Sequence, residues 1–401
     1  MLLILKKTTR SLQRHLHSFF EKLLPEKGLG VTASAYTQAR AKLSHTAFIE
    51  LNQEVLLPGF YAPAAGCFLK KWHGLRLLGL DGSDLRLPDQ PGIAKRFGSL
   101  TVPVGDGSSE ASYTLARLCV LYDLLNEMGL DAQVESQATG EVEMAERQLA
   151  LVGENDAVVF DRGFAGFAFL AKIRQRGAHF IGRCSRQSFS RANELHRLNQ
   201  AGQSAVAKVK ACSSQQAELR RLGLPLEMEM RFVSARLSTG ELEVLVTSLL
   251  SEREFPTEEF LEVYGRRWGQ ESYHLMLKSR LDLENWSGQS VESVLQDIHA
   301  TVLVTNLESL LAQETQEELE RKREERKHPL KVNRADGFHA LKEKMIALLL
   351  DKRKPVEEAI AEIQAWMRRN PVSARKRKAE RRQSTPCNSY NFQRRKKKVV
   401  F

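Results

Sequence analysis

Tyr264-Gly-Arg-Arg267-Trp-Gly-Gln-Glu271-Ser-Tyr-His-Leu-Met-Leu-Lys278 reads as Tyr, two residues, Arg, three residues, Glu, six residues, Lys. On one continuous helix turning about 100° per residue, Arg267, Glu271 and Lys278 fall at about 300°, 340° and 320° from Tyr264, so all four share a sector of about 60°. A carboxylate flanked by two cations and a phenol on one face suits a metal-dependent phosphodiester site. Glu271 can hold a divalent cation, while the cations grip the strand being cut. An adjacent stripe of Leu261, Trp268 and Leu275, at about 60°, 40° and 20° on the same wheel, is expected to pack this helix on a sheet and leave Glu271 at its edge.

Working outward toward the N-terminus, two further acids follow apolar runs. Leu75-Arg-Leu-Leu-Gly-Leu80 runs into Asp81-Gly82, and Ala157-Val-Val-Phe160 runs into Asp161-Arg162-Gly163; both read as buried strands with a carboxylate at the exit. Between them come strands over Tyr113–Tyr122 and Gly129–Ser136 and a helix over Glu141–Leu151. A helix over Phe164–Arg176 and a strand over His179–Gly182 follow. In a ribonuclease H-like sheet, the first strand and a later parallel strand lie side by side with their C-terminal ends aligned. That would put Asp81 beside Asp161, with Glu271 added from its helix. Paired carboxylates repel unless a cation neutralises them, and hard oxygen ligands favour Mg²⁺, with Mn²⁺ as a substitute. Two such ions roughly 4 Å apart can activate a water or a 3′-hydroxyl and stabilise a leaving oxygen. Taken singly the pieces are less telling: Asp-Gly usually marks a turn, and Arg162, a candidate DNA contact, is of a kind more often found as a surface or salt-bridge residue. Asp84, Asp89, His73 and His274 are nearby residues of supporting or structural character.

The remaining chain frames this core. Residues 1–70 read as a helical region suited to DNA binding, with Ser34 and Ser44 as N-caps and Arg40 and Lys42 on a basic face. Residues 71–183 and 251–312 would be the two parts of the catalytic domain. They are separated by a β-rich insertion over 184–250, closed by a hairpin around Thr239-Gly240. Residues 313–370 read as helical, and 371–401 as a basic, disordered tail. The net charge is +11, and from Pro371 onward eleven Lys or Arg stand against the single acid Glu380, so nearly all of the excess lies in the tail. Such a tail attracts phosphate without reading sequence. The five cysteines form no C-x-x-C pair, which argues against zinc or disulfides. No apolar run reaches membrane-spanning length, and the N-terminus has no cleavage-site pattern, so a cytoplasmic, nucleoid-associated protein without membrane contact is expected.

The Tyr264, Arg267, Glu271, Lys278 spacing, preceded in order by Asp81 and Asp161, resembles the Y-R-E-K signature of DDE transposases from bacterial insertion sequences. The resemblance covers roughly residues 30–310, and the segment Val31–Leu43 is similar to the family's N-terminal region. It implies a ribonuclease H-like catalytic domain with a β-strand insertion before the glutamate. It also implies binding of terminal inverted repeats on double-stranded DNA, Mg²⁺-dependent cleavage of transposon ends with two ions per site, and strand transfer into target DNA by a synaptic homodimer. By that carry-over Asp81, Asp161 and Glu271 bind metal and catalyse, Arg267 and Lys278 contact phosphates at the cleaved end, and Tyr264 positions that strand. Some relatives excise through a hairpin and carry a tryptophan in the insertion. Here Trp72, Trp268, Trp286 and Trp366 all lie outside residues 184–250. The competing readings are a ribonuclease H-like nuclease without strand transfer and an inactive, domesticated DNA-binding derivative.

Overall fold

The computed structural model describes residues 1–7, 11–23, 30–62, 69–104, 109–321, 328–350 and 355–373. No helix among them is long and apolar enough to cross a membrane. Strands β1 (Arg76–Arg86), β2 (Ser99–Val104), β3 (Ser109–Asp123), β4 (Met128–Ser136), β5 (Asp156–Phe160), β6 (His179–Cys184), β7 (Ser204–Lys210), β8 (Glu227–Arg236) and β9 (Leu242–Thr247) form one sheet. Their order is β2-β3-β1-β5-β6-β9-β8-β7, with β4 also on β3. The β1, β5 and β6 ladders are parallel and the others antiparallel. This is the expected mixed sheet flanked by helices.

Register positions the site. Arg76 and Asp156 face each other at the start of the β1–β5 ladder. They are tied by a two-point ion pair, Nε to Oδ1 at 2.6 Å and Nη2 to Oδ2 at 2.8 Å. That clamp fixes the register, and a slip of one residue would turn every side chain of β1 to the wrong face. The ladder ends at Leu80 opposite Phe160. Asp81 and Asp161 are therefore the next residues of neighbouring strands, whose spacing is about 4.8 Å.

Alternation gives the sheet two faces. Leu78, Leu80, Val158, Phe160 and Phe180 pack in one apolar core, together with residues of the helices Glu141–Gln148 and Phe167–Gln175. Leu77, Val120, Val159 and Ile181 belong to the other core, with the helices after residue 258. Odd-numbered Asp81 and Asp161 share this second face. A long helix, Val291–Arg321, crosses it, and Asn306 seats that helix by accepting from Gly129 N–H (2.7 Å) and donating to Asn52 (2.7 Å).

Several expectations need correction. Asp81 does not end its strand: β1 continues to Arg86 against β3, although its parallel ladder stops just before Asp81. The motif helix is not continuous. It is built from Glu259–Gly265, a turn at residues 266–267, Trp268–Leu275 and a π-helical stretch Met276–Arg280. Trp268 and Leu275 stand 52% and 55% exposed, so the stripe expected to pack on the sheet faces away from it. Phe260, Val263, Gln270, Tyr273 and Leu277 make the buried side instead.

Within the β-rich insertion, β9 pairs with β6 and prolongs the main sheet, and helices Ser190–Leu198 and Ser213–Arg221 accompany its strands. The hairpin between β8 and β9 does turn near Gly240, whose φ is +89°. A helix Pro91–Phe97 and strand β2 had no counterpart in the sequence reading. Near the N-terminus the helix Ala33–Arg40 is capped by Thr32, not Ser34. Arg40 turns inward to Asp297 (2.9 Å), Gln296 and Ser287, so it forms no outward basic face. The helix Val291–Arg321 runs through the boundary drawn at 312, and the basic segment 374–401 lies outside the described residues.

Candidate active site

The second face of the sheet gathers most of the singled-out residues around one guanidinium. Arg267, at the turn between helical segments, is buried. Its Nη2 donates to Glu271 Oε1 at 2.8 Å, and its Nη1 lies 3.9 Å from Asp81 Oδ2. Tyr264 donates its hydroxyl to Asp161 Oδ1 at 3.0 Å. Asp81, Asp161, Glu271, Tyr264 and Arg267 thus form one connected set, assembled from β1, the end of β5 and the motif helix. Lys278 stands at its margin, donating from Nζ to the carbonyl of Asp84 at the far half of β1. Arg162 is exposed, and it is its backbone N–H that reaches the Asp161 carboxylate.

Environment splits the two strand acids. Burial pushes Asp81 up to about 6; Arg267 opposes this, while Glu271 and Glu141 add to it. Burial also pushes Asp161 upward, but the Arg162 N–H, Arg183, Arg267 and the Tyr264 hydroxyl outweigh it and hold that carboxyl below its ordinary value. Opposite displacement of paired carboxyls is a signature of functional sites. Burial lowers the Lys278 ammonium, against the pull of Glu284 and Asp84.

Two residues that the sequence reading missed complete the site. Arg183 on β6 follows Gly182, the partner of Phe160, and so falls in the same row as Asp161. Its guanidinium is 3.5 Å from Asp161 and is held by Glu243 of β9 at 2.7 Å. The sequence did hold a signal: the same step past a strand pair that yields Asp81 and Asp161 also yields Arg183. Glu141 sits on the opposite face of β1, where a Cβ on Gly82 would meet its Oε1 at 2.7 Å. Arg117 holds Glu141 and Asp84 at 3.7 and 3.6 Å.

A family model described as transposase DDE domain matches residues 72–307, more than half of the chain and all of this site. The chain belongs to the transposase DDE domain family. The transposase InsG for insertion sequence element IS4 of Escherichia coli (strain K12) is 25% identical over 241 residues, which is 59% of this chain and 52% of that protein. The putative transposase InsZ of the same organism is 28% identical over 156 residues, 38% of this chain and 50% of that protein. The chain therefore spans about half the length of these curated relatives. A cryo-EM structure of the piggyBac transposase synaptic complex with hairpin DNA covers 90% of this chain and 73% of its own, at 10% identity and a TM-score of 0.42.

Members of the DDE domain family depend on divalent metal. Among the described residues, no three His, Cys, Asp or Glu side chains stand close enough to hold an ion as placed. The Arg267 guanidinium lies between Asp81 and Glu271 and supplies the local positive charge. The donor set nevertheless suits a hard cation. It consists of carboxylates alone, and Asp81 already bears the repulsion of Glu271 and Glu141.

Proposed function

We propose that this protein is a DDE transposase that binds transposon terminal inverted repeats, cleaves the DNA ends and joins them to target DNA as a homodimer. The observation that carries this reading is the placement of Asp81 and Asp161 one step past a shared parallel ladder, with Glu271 joined to Asp81 through Arg267. Membership of the transposase DDE domain family supports it.

In this reading Asp81, Asp161 and Glu271 hold two Mg²⁺ ions, with Mn²⁺ as a substitute. When bound, the ions would activate a water or 3′-hydroxyl and stabilise the leaving oxygen of an in-line displacement. The chain's own residues do the rest. Tyr264 keeps the Asp161 carboxylate turned toward the site through its hydroxyl, and Arg183, anchored by Glu243, adds positive charge beside the same oxygen, Oδ1. Arg267 holds Glu271 until the ligands close, and is then free to meet a phosphate oxygen. Lys278 and exposed Arg162 extend the cationic rim along which the phosphate backbone would lie.

Glu271→Gln is expected to keep duplex binding and to lower Mg²⁺-dependent end cleavage by about a thousandfold or more, since groups that act as a unit fail together. Cutting at the wild-type level would overturn the assignment. A pre-cleaved end incubated with a target plasmid separates transposition from simple nuclease action, because only a transposase yields the joined product.

A further inference from the structure

Between the motif helix and β1 lies a buried amide that the proposed chemistry does not use. Gln270, the residue before Glu271, is fully buried, and its Nε2 donates to the carbonyl oxygen of Val120 at 2.5 Å. Val120 is the residue directly opposite Asp81 across the β1–β3 ladder. The chain neighbour of one acid is thereby tied to the cross-strand neighbour of another.

The seat exists because position 79 has no side chain. A Cβ on Gly79, two residues before Asp81 on the same face, would overlap Gln270 Oε1 and come within 2.8 Å of Leu124 Cδ2. One turn further along, His274 is buried against the backbone of Asp81. Gln270 Oε1 lacks a hydrogen-bond partner. Burying unsatisfied polar atoms is costly, and leucine of similar volume would fill this space without that cost. Stability alone therefore does not account for the amide.

We infer that Gln270 is a positioning residue that sets the separation of Glu271 from Asp81 by docking the motif helix onto the strand pair at Val120, in the space left by Gly79. The inference rests on the proposed metal site and adds to it a residue outside the signature. Groups that orient metal ligands typically alter metal affinity 10- to 100-fold when removed. Helix docking of this kind should act on the ion and not on duplex DNA.

The test uses the full-length protein and Mn²⁺, with free ion followed by electron paramagnetic resonance. Gln270→Leu is expected to weaken Mn²⁺ binding about tenfold or more. Its metal-free duplex binding and circular dichroism should match wild type. Gln270→Met, which keeps length without the amide, serves if the leucine variant does not fold. Gly79→Ala should weaken binding similarly, and the double variant Gly79→Ala/Gln270→Leu should be no worse than the weaker single, since both disturb one seat. Mn²⁺ affinity within about twofold of wild type in a folded Gln270 variant overturns the inference, as do fully additive losses. Wild-type protein that takes up no Mn²⁺ at all overturns instead the metal site on which the inference stands.

Discussion

On β1 the residues flanking Asp81 belong to two environments a strand's thickness apart. Leu78 and Leu80 point into a core shared with Val158, Phe160 and Phe180, where packing is almost wholly apolar. Gly79 and Asp81 point the other way, toward Arg267, Gln270 and His274, all buried, the first two each with an unpartnered polar atom. The first face closes the sheet by removing hydrocarbon from water. The second holds charge and hydrogen-bonding capacity that a folding requirement alone does not explain. Stability and chemistry are therefore divided across one strand, and substitutions one residue apart should read out differently.

The largest expected stability effect is on the apolar face. Phe160 packs against Phe164 and Phe169, with ring centroids 6.3 and 6.0 Å apart, and covers Gly182. Phe160→Ala should cost about 3–5 kcal/mol, seen as a lower urea midpoint with unchanged slope. A loss below about 1 kcal/mol would mean that this face does not carry the sheet.

A second effect sharpens the contrast through pH. His299 of the long helix faces the second core and is stacked on His45, which pairs with Glu292; Asp131 lines the same small pocket. Burial, and then the His45 charge, push its imidazole down to about 3. Its folded value lies below the ordinary 6.5. The stability it contributes is therefore present above pH 6.5 and is lost as pH falls from there toward 3, because the unfolded chain takes up a proton that the folded chain refuses. The slope should be about 1 kcal/mol per pH unit. His299→Gln should flatten it in urea titrations at about pH 7 and pH 5. An equally steep variant would assign acid sensitivity to another group.

These two faces also show what the sequence could and could not reveal. Short apolar runs stopping at Asp81 and Asp161 encode buried parallel strands, and the strand–helix order that followed left few sheet topologies. Register was legible in principle, since Arg76 and Asp156 are each five residues before the acid they help align, but only a folded sheet shows that they meet. The motif helix was legible as chemistry and misread as packing. On the same wheel Phe260, Val263, Gln270, Tyr273 and Leu277 fall between about 180° and 320°, but only the folded sheet shows that this side is the buried one, so Trp268 and Leu275 were assigned to the wrong side. Arg183 and Gln270 escaped notice because their partners, Asp161 and Val120, lie 22 and 150 residues away in the chain. Arg40 looked like a surface cation because nothing local announces Asp297.

The smallest expected effect is also the one with the least intuitive sign. Asp81 is raised to about 6 from an ordinary 3.8, chiefly by burial. A group whose folded value is raised contributes fully below its unfolded value, and that contribution is lost as pH rises through the folded one. At pH 8 the ionised Asp81 should therefore be a burden on the metal-free protein. Asp81→Asn keeps the shape and can still accept the Gly82 N–H, which lies 3.0 Å from Oδ1. In EDTA the variant should be more stable than wild type at pH 8 by on the order of 1 kcal/mol, with the gain shrinking as pH is lowered toward 4. Cleavage should be lost in the same protein. If Asp81→Asn is instead the less stable at pH 8, the attraction of Arg267 outweighs burial. Asp81 would then belong energetically with the apolar face as part of what holds the sheet, and the division across β1 would not extend to it.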